Sequence, residues 1–294
     1  MLIFYLLLNY VLSIKFLAIT WNDKSEYWVS HINVNETHYT TMIKHNITNL
    51  GYGLYAAYDN NLISLITISH DLSAYYAYIL NKTGHTHDKL IVQHNILSQI
   101  QTNGNLSLAI SINTNSCRNI CNHDLVQVDY SINKTIIKYD FDKKINDIRA
   151  SCIDRIKYIY YACVQYHNYV MIHAINIKNY TLISIYGPLS FQQHYAWKLL
   201  YDKDRLYAFI HNMEKYCIQL VIVNIHRKLI ETTLTYDKFS GIYAISLQNN
   251  IIYAVMLLSG LDRRVAFVTI DLYSKHYEYM IITNKHLPLN MWII

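Results

Sequence analysis

The residue types best able to do chemistry in this sequence are its histidines and cysteines, fifteen and five in number. His85-Thr86-His87-Asp88 has the sharpest metal-like form, because a His-x-His pair on a strand aims both imidazoles to one side. It comes directly after Asn81 and Gly84, however, and that company reads as a solvated turn. Cys117 and Cys121 have no second pair of ligands close by, so a local disulfide suits them better than zinc. His70-Asp71 and Asp202-Lys203-Asp204 have the composition of ordinary turns. A Gly-x-Ser-x-Gly elbow, a phosphate loop and His-Glu-x-x-His are all missing. These patterns predict neither a metal nor a cofactor.

Chemistry that no local motif carries has to be assembled by the fold, and here the fold is written as a repeat. Tyr161-Ala162, Leu206-Tyr207-Ala208 and Ile252-Tyr253-Ala254 recur in two steps of 46 residues, each inside an alternating apolar stretch. Such a period belongs to a small four-stranded sheet, which cannot bury both faces until a neighbour stacks on it. Around the last copy, strands are expected over residues 241–248, 251–257, 265–272 and 277–283. The first two join across Asn249-Asn250, an Asn pair that accepts positive φ. Earlier sets fall at 195–200, 206–210, 218–225 and 229–236, and at 147–153, 158–164, 169–177 and 180–186. Two more occupy 96–101, 106–112, 125–131 and 135–141, then 52–58, 62–69, 74–80 and 89–95.

Five complete sets leave both ends over. Residues 26–34 and 38–46 read as third and fourth strands and 287–294 as a first strand, with Trp292 set against Trp197. A sixth set composed from both termini, with its second strand unassigned, closes the ring and removes exposed sheet edges. In this layout the chain resembles a secreted six-bladed β-propeller of four-stranded blades. The alternative is an all-β sandwich, or two packed together. Seven glycines and two prolines argue against the glycine-signature kelch propellers. The Trp-Asp ending of WD40 repeats and the Asp box of sialidases are absent. Propellers built on Tyr-Trp-Thr-Asp place an aromatic pair in a repeated strand, but that slot here reads Tyr-Ala, and the Tyr27-Trp28 pair lies outside it. The resemblance therefore implies architecture and no particular activity.

Residues 1–20 read as a signal peptide, with an apolar core over 2–11 too short to span a bilayer and cleavage near 13 or near 20. An anchor running to Thr20 would have to bury Lys15, which favours secretion. No linker interrupts 21–294, so one domain is expected. Six Asn-x-Ser/Thr sequons fit that compartment: Asn35, Asn46, Asn81, Asn105, Asn133 and Asn179. Asn35, Asn81, Asn133 and Asn179 fall in turns between third and fourth strands, and Asn105 between a first and a second. In a propeller these turns share one face, leaving the opposite face to Asn46 alone. Five cysteines suit an oxidising setting: Cys117 with Cys121 is the first candidate bridge and Cys152 with Cys163 the second, leaving Cys217 over.

The face without clustered sequons is built from second-to-third loops. They hold Asp71, Arg118, His123, His167, His211, Glu214, Lys215, Asp262, Arg263 and Arg264, the candidate binding residues, each of which solvation alone would also explain. The net charge of +5 is scattered, without the basic stripe of a nucleic-acid binder. The expected role is an extracellular module binding a protein or a glycan, with no nucleic-acid partner and no membrane span in the mature chain. Two further readings stay open. One is an extracellular hydrolase or lactonase-like enzyme, calcium-dependent in one form, working at the mouth of the central channel. The other is a tyrosine-rich coat or matrix component.

Overall fold

Short runs alternating apolar with polar residues, separated by Asn- and Asp-containing turns, can bury one or both faces only by pairing and stacking. The computed structural model describes residues 14–22, 24–35, 38–92, 95–113, 121–142, 144–167, 169–189, 194–212, 215–260, 264–283 and 285–294. Among the described residues these runs form six antiparallel four-stranded sheets.

Blade 1 contains β1 (Ile14–Trp21), β2 (Tyr27–Val34) and β3 (Tyr39–Asn46). Blade 2 contains β4 (Tyr52–Asp59), β5 (Leu62–Ile68), β6 (Tyr75–Asn81) and β7 (Thr86–Val92). Blade 3 is β8 (Asn95–Asn103), β9 (Leu106–Asn113), β10 (Asn122–Asp129) and β11 (Lys134–Asp140). Blade 4 is β12 (Asp147–Asp154), β13 (Ile159–Gln165), β14 (Val170–Asn176) and β15 (Thr181–Tyr186). Blade 5 follows with β16 (His194–Asp202), β17 (Arg205–Asn212), β18 (Cys217–Asn224) and β19 (Leu229–Tyr236). Blade 6 has β20 (Phe239–Gln248), β21 (Ile251–Leu258), β22 (Val265–Asp271) and β23 (Tyr277–Ile282). The last strand, β24 (Leu287–Ile293), pairs with β1 and completes blade 1. Strands β24, β4, β8, β12, β16 and β20 adjoin in succession, so the chain is a closed six-bladed β-propeller.

The repeated Tyr-Ala phrase now has a physical reason. It lies on the second strand of three blades, where neighbouring residues point to opposite faces. Tyr161, Tyr207 and Tyr253 fill the seam toward the following blade, and Ala162, Ala208 and Ala254 fill the seam behind. A large ring on one face and a methyl group on the other let consecutive blades interlock. Six apolar clusters result, one at each seam. The expected Asn249-Asn250 hairpin is present, with φ of 52° and 64°, and Asn60-Asn61 repeats it in blade 2 with 48° and 63°.

Three expectations are corrected. The second strand of blade 1, left unassigned in the sequence, is β1, taken from residues read as the end of a leader. Phe16, Leu17, Ala18 and Ile19 are at most 1% exposed, with Phe16 and Ala18 in the seam with blade 6 and Leu17 and Ile19 in the seam with blade 2. A strand buried on both faces is continuously apolar, as a leader is, and hydropathy alone does not separate the two. Second, Trp292 does not match Trp197: the registers place Leu289 at the height of Trp197, because each is the residue skipped by its ladder.

Third, Cys152 and Cys163 are free buried thiols. Cys152 faces Tyr161 and Cys163 faces Ala150, which leaves the two cysteines diagonal across the ladder. Diagonal neighbours stand roughly 7–8 Å apart, well beyond the ~3.8 Å between the Cβ atoms of a disulfide. Cys217 is also a buried free thiol. Cys121 is disulfide-bonded, and Cys117 lies outside the described residues.

Candidate functional site: the central channel

The innermost strands do not run straight. Each ladder skips residues at a matching height: residue 54 in β4, Arg149 in β12, residue 197 in β16, Tyr243 in β20 and Leu289 in β24, with Gln99 and Ile100 both skipped in β8. A bulge bends its strand and turns the extra residue out of the ladder. Repeated around the ring, it curves the six strands about a central channel of about 1600 Å³. Gln99, Ile100, Arg149, Tyr243 and Leu289 all line that channel.

Lys198 follows the bulge of β16 and also lines the channel. Its Nζ donates to the carbonyl oxygen of Leu289 at 3.4 Å. Blade 5 and blade 1 are not neighbours, so the ammonium reaches past blade 6 to the Leu289 bulge. Loss of hydration lowers the Lys198 pKa to about 8.

The mouth on the side of the second-to-third loops carries charge from adjacent blades. Asp147 opens β12 on the channel wall, and Arg149 Nε stands 2.9 Å from Asp147 Oδ2 and donates to Gln165 Oε1 at 3.2 Å. His123 of blade 3 lies behind this pair, with Nε2 3.9 Å from Asp147 Oδ1 and Nδ1 3.1 Å from the Cys121 carbonyl oxygen. Burial lowers the His123 pKa and the Asp147 carboxylate opposes that shift. His211 of blade 5 also lines the channel and is buried. The other mouth is crossed by Arg155, whose guanidinium links blades 2, 3 and 4.

The residues singled out in the sequence fall in different places. His123 and His211 are not loop residues: they sit on β10 and β17, buried, at the strand ends that meet the channel mouth. Both strands begin or end beyond the expected bounds, because His and Asn at those positions still pair in the ladder. Asp71 is exposed and held in its own turn, accepting hydrogen bonds from Ser69 Oγ at 2.5 Å and Ser73 Oγ at 2.7 Å. Those hydroxyls, with the Ser73 N–H, lower its pKa to about 2, so its carboxylate is already used in shaping the loop. His167, Lys215 and Arg264 are exposed on the loop face. Arg118, Glu214, Asp262 and Arg263 lie outside the described residues. His85 is in a turn and His87 on β7, and among the described residues no group of three or more His, Cys, Asp or Glu is placed to hold a metal ion.

The sequons take the positions expected of them. Asn35, Asn81, Asn133 and Asn179 lie at turns between third and fourth strands and Asn105 between a first and a second, all on one face, whereas Asn46 ends β3 on the other. Asn35 and Asn81 are partly buried, and Asn46, Asn105, Asn133 and Asn179 are exposed.

No family model matches the chain, and no curated protein does. Solved structures do match. TolB from Acinetobacter baumannii aligns with a TM-score of 0.66 at 11% identity, over 95% of this chain and 66% of that one. Hydrazine synthase from Kuenenia stuttgartiensis aligns at 0.57 with 9% identity, over 78% of this chain and 66% of that one. The Pan2 WD40 domain of Neurospora crassa aligns at 0.51 with 9% identity, over 81% and 67%. What they share with this chain is the fold. The chain spans just under two thirds of the length of the first two, and identities this low carry no activity across.

Sequence reasoning missed the channel residues Lys198, Asp147 and Arg149. The bulges that place Arg149 and precede Lys198 are backbone features without a residue-type signature. For Lys198 a signal did exist: aligned on the bulges, blades 4 and 6 hold Ala150 and Ala244 at its position.

Proposed function

We propose that the protein is a secreted, N-glycosylated propeller that binds an extracellular protein or glycan through the face of the second-to-third loops. The observation that carries this reading is the segregation of the sequons. Five of the six lie at turns of one face. Glycans there would keep that face from close contact and leave the loop face, with the channel mouth, free to dock. The leader in this reading ends before Ile14, so that β1 stays in the mature chain. A Cys117–Cys121 bridge would brace the loop between β9 and β10 in an oxidising compartment.

Mapping glycan occupancy on the secreted protein, together with a footprint of whatever it binds, tests the proposal. Occupied Asn35, Asn81, Asn105, Asn133 and Asn179 with protection on the opposite loops support it. Bare sequons, or a footprint on the sequon face, would sink it.

One arrangement favours a second reading, an extracellular hydrolase. Asp147 and His211 come from two blades to line the channel, with His123 of a third blade directly behind Asp147. Convergence of a carboxylate and imidazoles at a channel mouth is what acid–base hydrolysis requires. Turnover of an ester or lactone panel that disappears in both Asp147→Asn and His211→Ala would favour this reading over pure binding.

A further inference from the structure

Lys198 stands where the repeat calls for something else. The residue just after the single-residue bulge is Tyr55, Ala150, Lys198, Ala244 or Asn290 in five of the blades, paired across the ladder with Ile66, Cys163, Phe209, Val255 and Ile19. In the blades on either side of Lys198 this residue is a buried alanine packed into a seam. A lysine in that slot works against the seam, and positions where a residue opposes its local environment are where function is expected.

The path of the side chain points the same way. Lys198 does not fold back along its own blade but passes blade 6 to reach the Leu289 carbonyl. A protonated amine has three N–H groups, and a single contact of 3.4 Å is the hydrogen bond the structure gives it. No ion pair among the described residues includes it, and burial alone accounts for its depressed pKa, with no carboxylate contributing. The channel lining carries charge toward its mouths, at Asp147 and Arg149 on one side and Arg155 on the other, and also aromatic and aliphatic surface, including Tyr243, Ile245, Leu247 and Trp292. An ammonium with unused N–H groups and no carboxylate partner, in a channel that also presents aromatic and aliphatic surface, is complementary to an anion with an apolar body.

We propose that the channel is a binding site for a small organic anion, a carboxylate on an apolar or ring-shaped body, whose carboxylate takes the open N–H groups of Lys198. This site does not depend on docking at the loop face. A partner can bind there with the channel empty, and the channel can fill with the loops free.

Benzoate is a suitable probe and benzyl alcohol its neutral control, titrated calorimetrically into the full chain at pH 7. Saturable benzoate binding, absent with benzyl alcohol and weakened at least about tenfold in Lys198→Ala, is the expected result, since a charge-assisted hydrogen bond is worth that factor or more. Alanine is the residue that the equivalent slots in blades 4 and 6 already bury, so this variant is expected to fold, and Lys198→Met provides a second neutral replacement. No saturable binding by the parent, or equal affinity in parent and either folded variant, overturns the proposal. Either result leaves the glycan-occupancy test of the loop face untouched.

Discussion

Arg155 of blade 4 pairs with Asp59 of blade 2, Nη1 to Oδ1 at 3.1 Å, with blade 3 lying between them. The same guanidinium donates through Nε to the Thr102 carbonyl oxygen at 3.2 Å and through Nη2 to that of Tyr58. In return the Arg155 carbonyl accepts from Asn103 Nδ2 at 3.2 Å, and Asp59 Oδ2 accepts from the Gly104 N–H at 2.7 Å. Seam packing joins blades only to their neighbours. This side chain ties together three.

Arg155→Ala should therefore lower stability by about 1–2 kcal/mol, more than an exposed ion pair alone would give, because two backbone carbonyls lose their donors. Arg155 is 44% exposed, which caps the electrostatic share. Lys at this position cannot fork to three acceptors and should restore only part of the loss. Urea denaturation of the single variants and of Arg155→Ala with Asp59→Ala gives the coupling. A coupling energy of zero would mean that the pair does not hold the blades.

Strand β1 makes a sharper prediction about the N-terminus. Its centre is buried on both faces between blade 6 and blade 2, so losing it opens two seams and leaves β24 without its partner. A chain beginning at Ile14 should fold, and one beginning at Trp21 should be insoluble or lack a cooperative thermal transition. If a leader is removed, as proposed, mass measurement of the processed chain should place its N-terminus at or before Ile14. A mature chain starting after Thr20 would contradict the arrangement of blade 1.

The ring was readable because its seams impose a period on residue type: a blade needs a large ring on one face and a small residue on the other, and Tyr-Ala reports both. The site was not readable for the complementary reason. Leu289 and Lys198 are brought together by bulges, which shift register without asking for a particular residue, and by closure of the ring, which sets chain segments far apart in sequence side by side. Matching Trp292 to Trp197 by residue type hid the correct alignment, in which Lys198 stands level with Ala150, Ala244 and Asn290. His123 and His211 were found as residues of interest but placed in loops, since polar residues at strand ends look like loop residues until a partner strand is seen opposite them.

Thiol chemistry tests the corrected cysteine pairing. Burial raises the pKa of Cys163 to about 12, and pushes that of Cys152 well up, aided by Cys163 and Asp154. Cys217 is raised as well and fully enclosed. Thiolate is the reactive form, so all three should be inert toward a disulfide reagent in the native protein and react once it is denatured. Peptide mapping after alkylation of the denatured, unreduced protein should find Cys152, Cys163 and Cys217 modified. A Cys152–Cys163 bridge in that map would refute the diagonal register of β12 and β13.

Lys198 links the channel to stability through pH. Its folded-state pKa, about 8, lies below the ordinary value of 10.5, so between these limits the unfolded chain holds more protons than the folded one. Stability must then rise with pH across that window, and the whole penalty is in force below pH 8. A separation of this size corresponds to about 3 kcal/mol at most. Lys198→Met removes the titration while keeping the length of the side chain. The variant should be more stable than the parent at pH 7, by up to about 3 kcal/mol, with the gap closing as pH approaches 10. Comparing parent and variant at each pH cancels the contributions of the many buried tyrosines, which titrate in both. A gap that does not change between pH 7 and pH 10 would show that the ammonium is well hydrated, and would remove the reason to regard it as a cation waiting for an anion.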